Sequence, residues 1–363
     1  MQGKTGFSPY FLILRLRSLL YEKGWIKVHS SPVPTVCIGN VTVGGTGKTP
    51  HTEMIARMLQ GSEEWRGKNI AILSRGYGRR SRGFQQVPPG GSACLFGDEP
   101  VQMKNNLPGV TVALDKDRVE GCELLCHPET VRASRRHSGC LDKEFPAADV
   151  IVLDDAFQYR RLKADLDILL IDYNRPVRED RPLPLGRLRD FPERVAEADI
   201  VIVTKCPYYL EDRDREEWKS KAGLREGQKV FFTNIVHGAL TPVYAESCDI
   251  RYVYSKQAIL FTAIANDTPL KMHLSDNYKI VKHFRLPDHH RFTHRDISRL
   301  ASAAGRSPMA AICTTEKDAQ RVLDCDVPQD VREKMFRIPV SVGFFSEKEE
   351  RDFRETLLAG IRR

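Results

Sequence analysis

The stretch that most constrains this chain is Pro34-Thr35-Val36-Cys37-Ile38-Gly39-Asn40-Val41-Thr42-Val43-Gly44-Gly45-Thr46-Gly47-Lys48-Thr49-Pro50. Its β-branched opening, Thr35 to Ile38, reads as a buried strand, and Met54 to Leu59 is apolar at helical spacing. Strand, glycine turn and helix in that order are the context a phosphate-binding loop needs. Glycines let successive backbone N–H groups face one concavity, and the helix adds its positive end. Thr42, Val43, Gly44, Gly45, Thr46, Gly47, Lys48 and Thr49 are therefore the expected triphosphate cradle. Lys48 would reach the β- and γ-phosphates of ATP, and the Thr49 hydroxyl would ligate Mg²⁺. The usual first glycine of such a loop is Thr42 here. The competing reading is a glycine turn with no ligand. Val43 occupies the place where partitioning-type ATPases carry an extra lysine, which argues against that class.

A second strong signal is Asp149-Val150-Ile151-Val152-Leu153-Asp154-Asp155, an apolar strand ending in aspartates. Asp154 or Asp155 would hold Mg²⁺ directly or through water, unless the pair simply caps the next helix. Ile70 to Ser74, Val110 to Leu114, Leu166 to Asp172 and Asp199 to Thr204 are further continuous apolar runs. Strand–helix alternation of this kind predicts an α/β fold: a P-loop NTPase-like, mostly parallel sheet with helices on both faces. Arg75 and Tyr77, just after the Ile70 strand, sit where α/β proteins bind ligands. Residues 83–94, rich in Gly, Pro and Ser, read as a loop, and Gly97-Asp98-Glu99-Pro100 then sets two carboxylates side by side. Arg181 to Arg189 is a rigid, basic connection.

A chain of 363 residues favours more than one domain. We expect an N-terminal helix in 1–30, a nucleotide domain in 31–228 and a connector in 229–256 built from Val230-Phe231-Phe232 and Thr241 to Tyr244. A smaller α/β domain over 257–345 and a C-terminal helix over 346–363 complete the reading. Phe11 to Leu20 is apolar but broken by Arg15 and Arg17, and is short of the ~20 residues that span a bilayer. It fits an interfacial helix with snorkelling arginines, or a helix packed on its own domain.

The net charge of +8 is concentrated in arginine clusters at 75–82, 160–163 and 175–189, which suit anionic partners. Nucleic acid is not expected, because these clusters lack interleaved aromatic platforms. Nine scattered cysteines favour reduced thiols, and the Cys122, Cys126, His127, His137, Cys140 group matches no common zinc spacing.

Taken together these residues resemble the tetraacyldisaccharide 4′-kinase family, the lipid A 4′-kinases of Gram-negative bacteria. The resemblance rests on NVTVGGTGKTP (Asn40 to Pro50), SRGYGR (Ser74 to Arg79), GDEP (Gly97 to Pro100) and LDDAFQ (Leu153 to Gln158). LPLGRLRD (Leu183 to Asp190), PDHHRFT (Pro287 to Thr293) and TTEKDAQR (Thr314 to Arg321) complete it. Thr42 agrees with the family's loop; Ala156 departs from it, since a glycine is more usual there. The resemblance implies transfer of the ATP γ-phosphate to the 4′-hydroxyl of a tetraacyl disaccharide 1-phosphate at the cytosolic face of the inner membrane. That implies a glycolipid substrate and contact with the membrane surface; no obligate protein partner is evident.

It also implies Asp98 as base with His289 as its partner, although His289 could instead be a capping residue before the Thr293 helix and the adjacent His290 could be the histidine that serves. Glu99 would support the metal, and Arg118, Arg187 and Arg189 would contact phosphate. Two other classes compete: a P-loop GTPase or metallochaperone-type NTPase, and a membrane-surface nucleotide-binding module. For the former, Thr204-Lys205-Cys206 is a weak match to a guanine-reading Asn-Lys-x-Asp element whose asparagine and aspartate are missing.

Overall fold

The structure, a computed structural model, describes residues 9–247 and 249–361. The expected N-terminal helix extends over residues 1–8, and the C-terminal one over 362–363, which lie outside the described residues.

The larger unit follows the apolar runs. Helix α1 (Pro9–Glu22) precedes strand β1 (Thr35–Gly39), the glycine loop and helix α2 (Lys48–Gln60). Next come β2 (Ile70–Ser74), α3 (Asp98–Asn106), β3 (Thr111–Leu114), α4 (Arg118–Cys126), β4 (Val150–Asp154), β5 (Leu166–Asp172) and β6 (Ile200–Thr204). Helix α5 (Asp212–Ala222) leads to β7 (Lys229–His237). The central strands are largely apolar and buried because both faces of the sheet are covered. Along β1, Val36 and Ile38 enter one core with Ile55 and Leu59 of α2, while Cys37 enters the other with Leu73, Leu153 and Leu169. Alternate residues of a strand point to opposite faces, so each layer draws on the same run.

The smaller unit contains β8 (Gln257–Thr262), α6 (Thr268–Ser275), β9 (Lys279–Arg285), α7 (His294–Arg306), β10 (Ala311–Thr315), α8 (Glu316–Val322) and β11 (Met335–Ile338). The chain then returns to the larger unit through β12 (Val340–Phe344) and α9 (Glu347–Gly360). The large sheet has nine strands in the order β12-β7-β6-β5-β1-β4-β2-β3 and the short strand Gln85–Gln86. From β7 to β3 every pairing is parallel; the two edges are antiparallel.

Four expectations change. Lys229–His237 is a full strand of the large sheet, and Thr241–Pro242 pairs with β11 of the smaller sheet, so the two segments do not form a connector of their own. Val340–Phe344, expected inside 257–345, pairs with β7 at the large sheet's edge. Phe353 of the C-terminal helix packs on Phe231 and Phe344, which covers that edge instead of leaving a separate element. Gln85–Gln86, inside the expected loop, is buried beside β3.

Helix α1 has two faces. On one, the Tyr10 hydroxyl donates to Arg189 O at 3.0 Å and Phe11 meets Phe191 edge-on at 4.6 Å. Arg17 donates to Gln158 O, so it turns toward the protein rather than outward. On the other face Leu12, Ile13 and Leu16 are each more than half exposed. Among the described residues no helix is long and apolar enough to cross a membrane.

Candidate active site

The glycine loop lies at the C-terminal end of β1, between the ends of β4 and β5, where parallel sheets bind ligands. Thr42 bridges to Leu188, and Val43 N–H donates to Arg187 O at 2.7 Å. The first half of the loop is thus extended and tied to the 181–189 connection, which is why a threonine serves where a glycine is usual. The left-handed turns come later, at Gly44 (φ 108) and Gly47 (φ 83), where a side chain would be strained. Gly47 caps α2, so Lys48 and Thr49 open the helix. Asn40 Nδ2 donates to the Thr46 hydroxyl at 2.8 Å and steadies the turn.

The two aspartates after β4 have different surroundings. Asp154 is buried and accepts from Thr52 Oγ1 at 3.2 Å and Ser74 Oγ at 2.9 Å. Burial, with the Glu99 and Asp155 charges, raises its carboxyl to about 6. Asp155 stands 3.6 Å from Lys48 Nζ and is paired with Arg189. Burial would raise its carboxyl, but Lys48 and Arg189 outweigh that and lower it. Asp155 takes φ 49, a left-handed conformation that aspartate tolerates; Ala156 is not left-handed, so alanine replaces the more usual glycine without strain.

Opposite, Gly97 caps α3 and Asp98 begins it. Asp98 is buried, with His289 Nδ1 at 3.7 Å and Arg321 Nε at 3.4 Å from Oδ2. Burial alone would raise its carboxyl, but the neighbouring His289 and the Lys317 and Arg321 charges bring it down to about 2. Lys317 Nζ joins Glu99 at 2.9 Å and His289 Nε2 at 3.4 Å. His290 is engaged elsewhere: its Nε2 is 2.9 Å from Asp296, which forms the capping box of α7 with Thr293. Lys317 and Arg321 lie in the TTEKDAQR run but are not legible as site residues from sequence, because the carboxylates they meet in the site, Glu99 and Asp98, are on the other unit.

Of the basic and aromatic candidates, Arg189 sits at the centre, between Asp155 and Asn40. Tyr77 is exposed and faces the His289 ring edge-on at 5.5 Å. Arg75 and Arg189, with Tyr10, Leu14, Arg17 and Arg160, line a cavity of about 190 Å³ between α1 and the segments around Gln158 and Asp190. Arg187 is exposed beside the glycine loop. Arg118 is 2% exposed and donates to the carbonyls of Asp115 and Asp154. That geometry buttresses the Asp154 turn and leaves Arg118 facing away from solvent, so it does not join the exposed arginines.

Asp154, Asp155, Glu99 and Thr49 offer only hard oxygens, the donor type Mg²⁺ takes. Burial first, and then the charges of Glu99 and Asp155, raise Asp154, and a cation among these groups would offset that repulsion. No preformed cage of three such residues exists among the described residues, because Asp155 is turned to Lys48 and Glu99 to Lys317.

The family model described as Tetraacyldisaccharide-1-P 4′-kinase (LpxK) matches residues 8–362. The Tetraacyldisaccharide 4′-kinase of Parabacteroides distasonis is 35% identical over 366 residues, covering 98% of this chain and 94% of its own. That of Phocaeicola vulgatus is 35% identical over 341 residues, covering 92% and 88%. Among solved structures, the "apo" form of LpxK from Aquifex aeolicus in complex with ATP superposes with a TM-score of 0.69 at 25% identity, covering 97% of this chain and 96% of that one.

Proposed function

The chain belongs to the tetraacyldisaccharide-1-P 4′-kinase family, kinases of lipid A biosynthesis, and on that premise we propose the following division of labour among its residues. ATP is the phosphate donor, and the acceptor is the 4′-hydroxyl of a tetraacyl disaccharide 1-phosphate, which becomes the 1,4′-bisphosphate. The loop Thr42 to Thr49 receives the triphosphate through backbone N–H groups. Lys48 exchanges its Asp155 partner for the transferring phosphate and offsets the charge that builds there. Thr49, Asp154, Asp155 and Glu99 would hold Mg²⁺, whose part when bound is to neutralise phosphate oxygens.

Asp98 takes the proton of the sugar hydroxyl, and His289 orients it and receives part of its charge. A carboxylate near 2 is a weak base. It is nonetheless ionised at neutral pH, and in a loose phosphoryl-transfer transition state the proton leaves late, so strong basicity is not required. The exposed face of α1 lies on the cytosolic surface of the inner membrane, and Arg75, Arg187 and Arg189, with Tyr77, meet the anionic headgroup.

One observation carries this reading. Asp98 meets His289 of the other unit at 3.7 Å, while the next residue, Glu99, acts electrostatically on Asp154 of the phosphate side. Both relations support a base and a cradle that share one cleft. The test is incubation of purified protein with labelled ATP, Mg²⁺ and disaccharide 1-phosphate. A bis-phosphorylated lipid is the expected product, and folded protein that binds ATP without forming it would refute the acceptor assignment.

A further inference from the structure

Three consecutive carbonyls of the glycine loop are each taken by a donor from outside it. Lys205 Nζ donates to Gly45 O. The Thr204 hydroxyl donates to Thr46 O at 2.9 Å, and His51 Nδ1 lies 2.7 Å from Gly47 O. These donors are themselves fixed. Lys205 Nζ is 2.9 Å from Asp172 Oδ2, and His51 Nε2 is 3.0 Å from the Thr233 hydroxyl. Thr204, His51 and Thr233 are fully buried.

The chemistry of each contact is defined. A carbonyl only accepts, so in its contact with Gly47 O the His51 ring donates from Nδ1. Lys205 holds a left-handed backbone, φ 57, that a lysine rarely adopts, in the turn from which its amine reaches the loop.

A trans peptide unit is rigid, with its C=O and the following N–H pointing in opposite directions. Fixing the carbonyls of Gly45, Thr46 and Gly47 on the protein side therefore turns the N–H groups of Thr46, Gly47 and Lys48 to the other side. Converging N–H dipoles are what an anion needs, and setting them beforehand removes the cost of reorganising the loop on binding. We propose that Thr204, Lys205 and His51 are positioning residues, an outer clamp that holds the glycine loop in its triphosphate-binding form before nucleotide arrives. The clamp rests on the reading of this loop as the triphosphate cradle. It also gives Thr204-Lys205 a place at the nucleotide without any base-reading role.

The experiment is calorimetric titration of the full chain with ATP and with inorganic tripolyphosphate, paired with steady-state kinetics. T204V and K205M should each weaken both ligands about tenfold and raise KM for ATP, with KM for the lipid acceptor unchanged. T204S, which keeps the hydroxyl, should restore binding. Wild-type affinity of T204V and K205M for tripolyphosphate, alongside lost binding in Lys48→Ala, would overturn the clamp and leave the cradle standing. Undiminished binding in Lys48→Ala would overturn the cradle itself. If K205M fails to fold, T204V against T204S decides alone, and equal affinities sink the proposal.

Discussion

Nδ1 of His289, on the smaller unit, lies 3.7 Å from Oδ2 of Asp98, at the first turn of α3 on the larger. The pairing depends on contact between the units, which is polar: Asn105 donates to Gln320 at 2.8 Å, Ser92 to Asp324 at 3.0 Å, and Arg291 to Gly78 O at 3.2 Å. Asp98→Asn and His289→Ala should each lower kcat by on the order of 10²-fold or more, with ATP affinity retained. Stopped-time phosphorylation assays with parallel ATP titrations measure both. Unchanged turnover in either variant would remove that residue from the proposed pair.

The Asp98 carboxyl, against the pull of burial, is brought to about 2 by His289, Lys317 and Arg321. A carboxyl lowered in this way stabilises the fold above its ordinary value of 3.8, and that contribution fades as pH falls toward 2. In the wild-type enzyme no acid limb of kcat/KM at pH 5–7 should come from this group. Arg321→Met removes one of the charges holding it down, so the carboxyl rises and an acid limb moves toward neutral pH. A pH–rate profile superimposable on the wild type would contradict the assignment.

Lys48 is held 3.6 Å from Asp155, and in the proposed mechanism it changes partners when a triphosphate enters. Lys48→Ala should reduce single-turnover transfer by about 10³-fold or more, a larger loss than for His289→Ala. A loss of only a few-fold would mean that the glycine loop is not the phosphate site.

Glu53 of α2 is 1% exposed and accepts from Asn106, which also donates to Glu316 of the smaller unit at 3.3 Å. Burial, with the Glu316 charge adding to it, raises Glu53 from 4.5 to about 7. The folded protein therefore binds a proton more tightly than the unfolded chain, and stability falls as pH rises from 4.5 to 7. The total change is on the order of 3 kcal/mol. Denaturant melts of Glu53→Gln across this range should have lost that slope. A slope identical to wild type would show that Glu53 does not titrate there.

Leu12, Ile13 and Leu16 are exposed on the face of α1 opposite its contacts with Phe191 and Arg189. Replacing all three with serine should lower flotation with anionic vesicles, while activity on detergent-dispersed acceptor persists, because the packed face is untouched. Deletion of residues 1–25 should lower flotation further. Equal flotation of all forms would mean that this helix only packs on its own domain.

The sequence alone determined what local chemistry governs. Continuous apolar runs made parallel strands covered on both faces, glycines at 44 and 47 made the left-handed turns of the glycine loop, and Thr293 with Asp296 made a helix cap. Tertiary structure decided what depends on partners distant in the chain. His289 and His290 are indistinguishable by type and spacing; one is captured by the Asp296 cap and the other is turned across the cleft to Asp98. Val340–Phe344 looks like any strand of the smaller unit until β7 offers it an open edge. Arg118 reads as one more cation until packing buries it beneath Asp154. In each case the residue's own preferences allow several environments, and the choice among them comes from hydrogen bonds and burial that only the folded chain brings together.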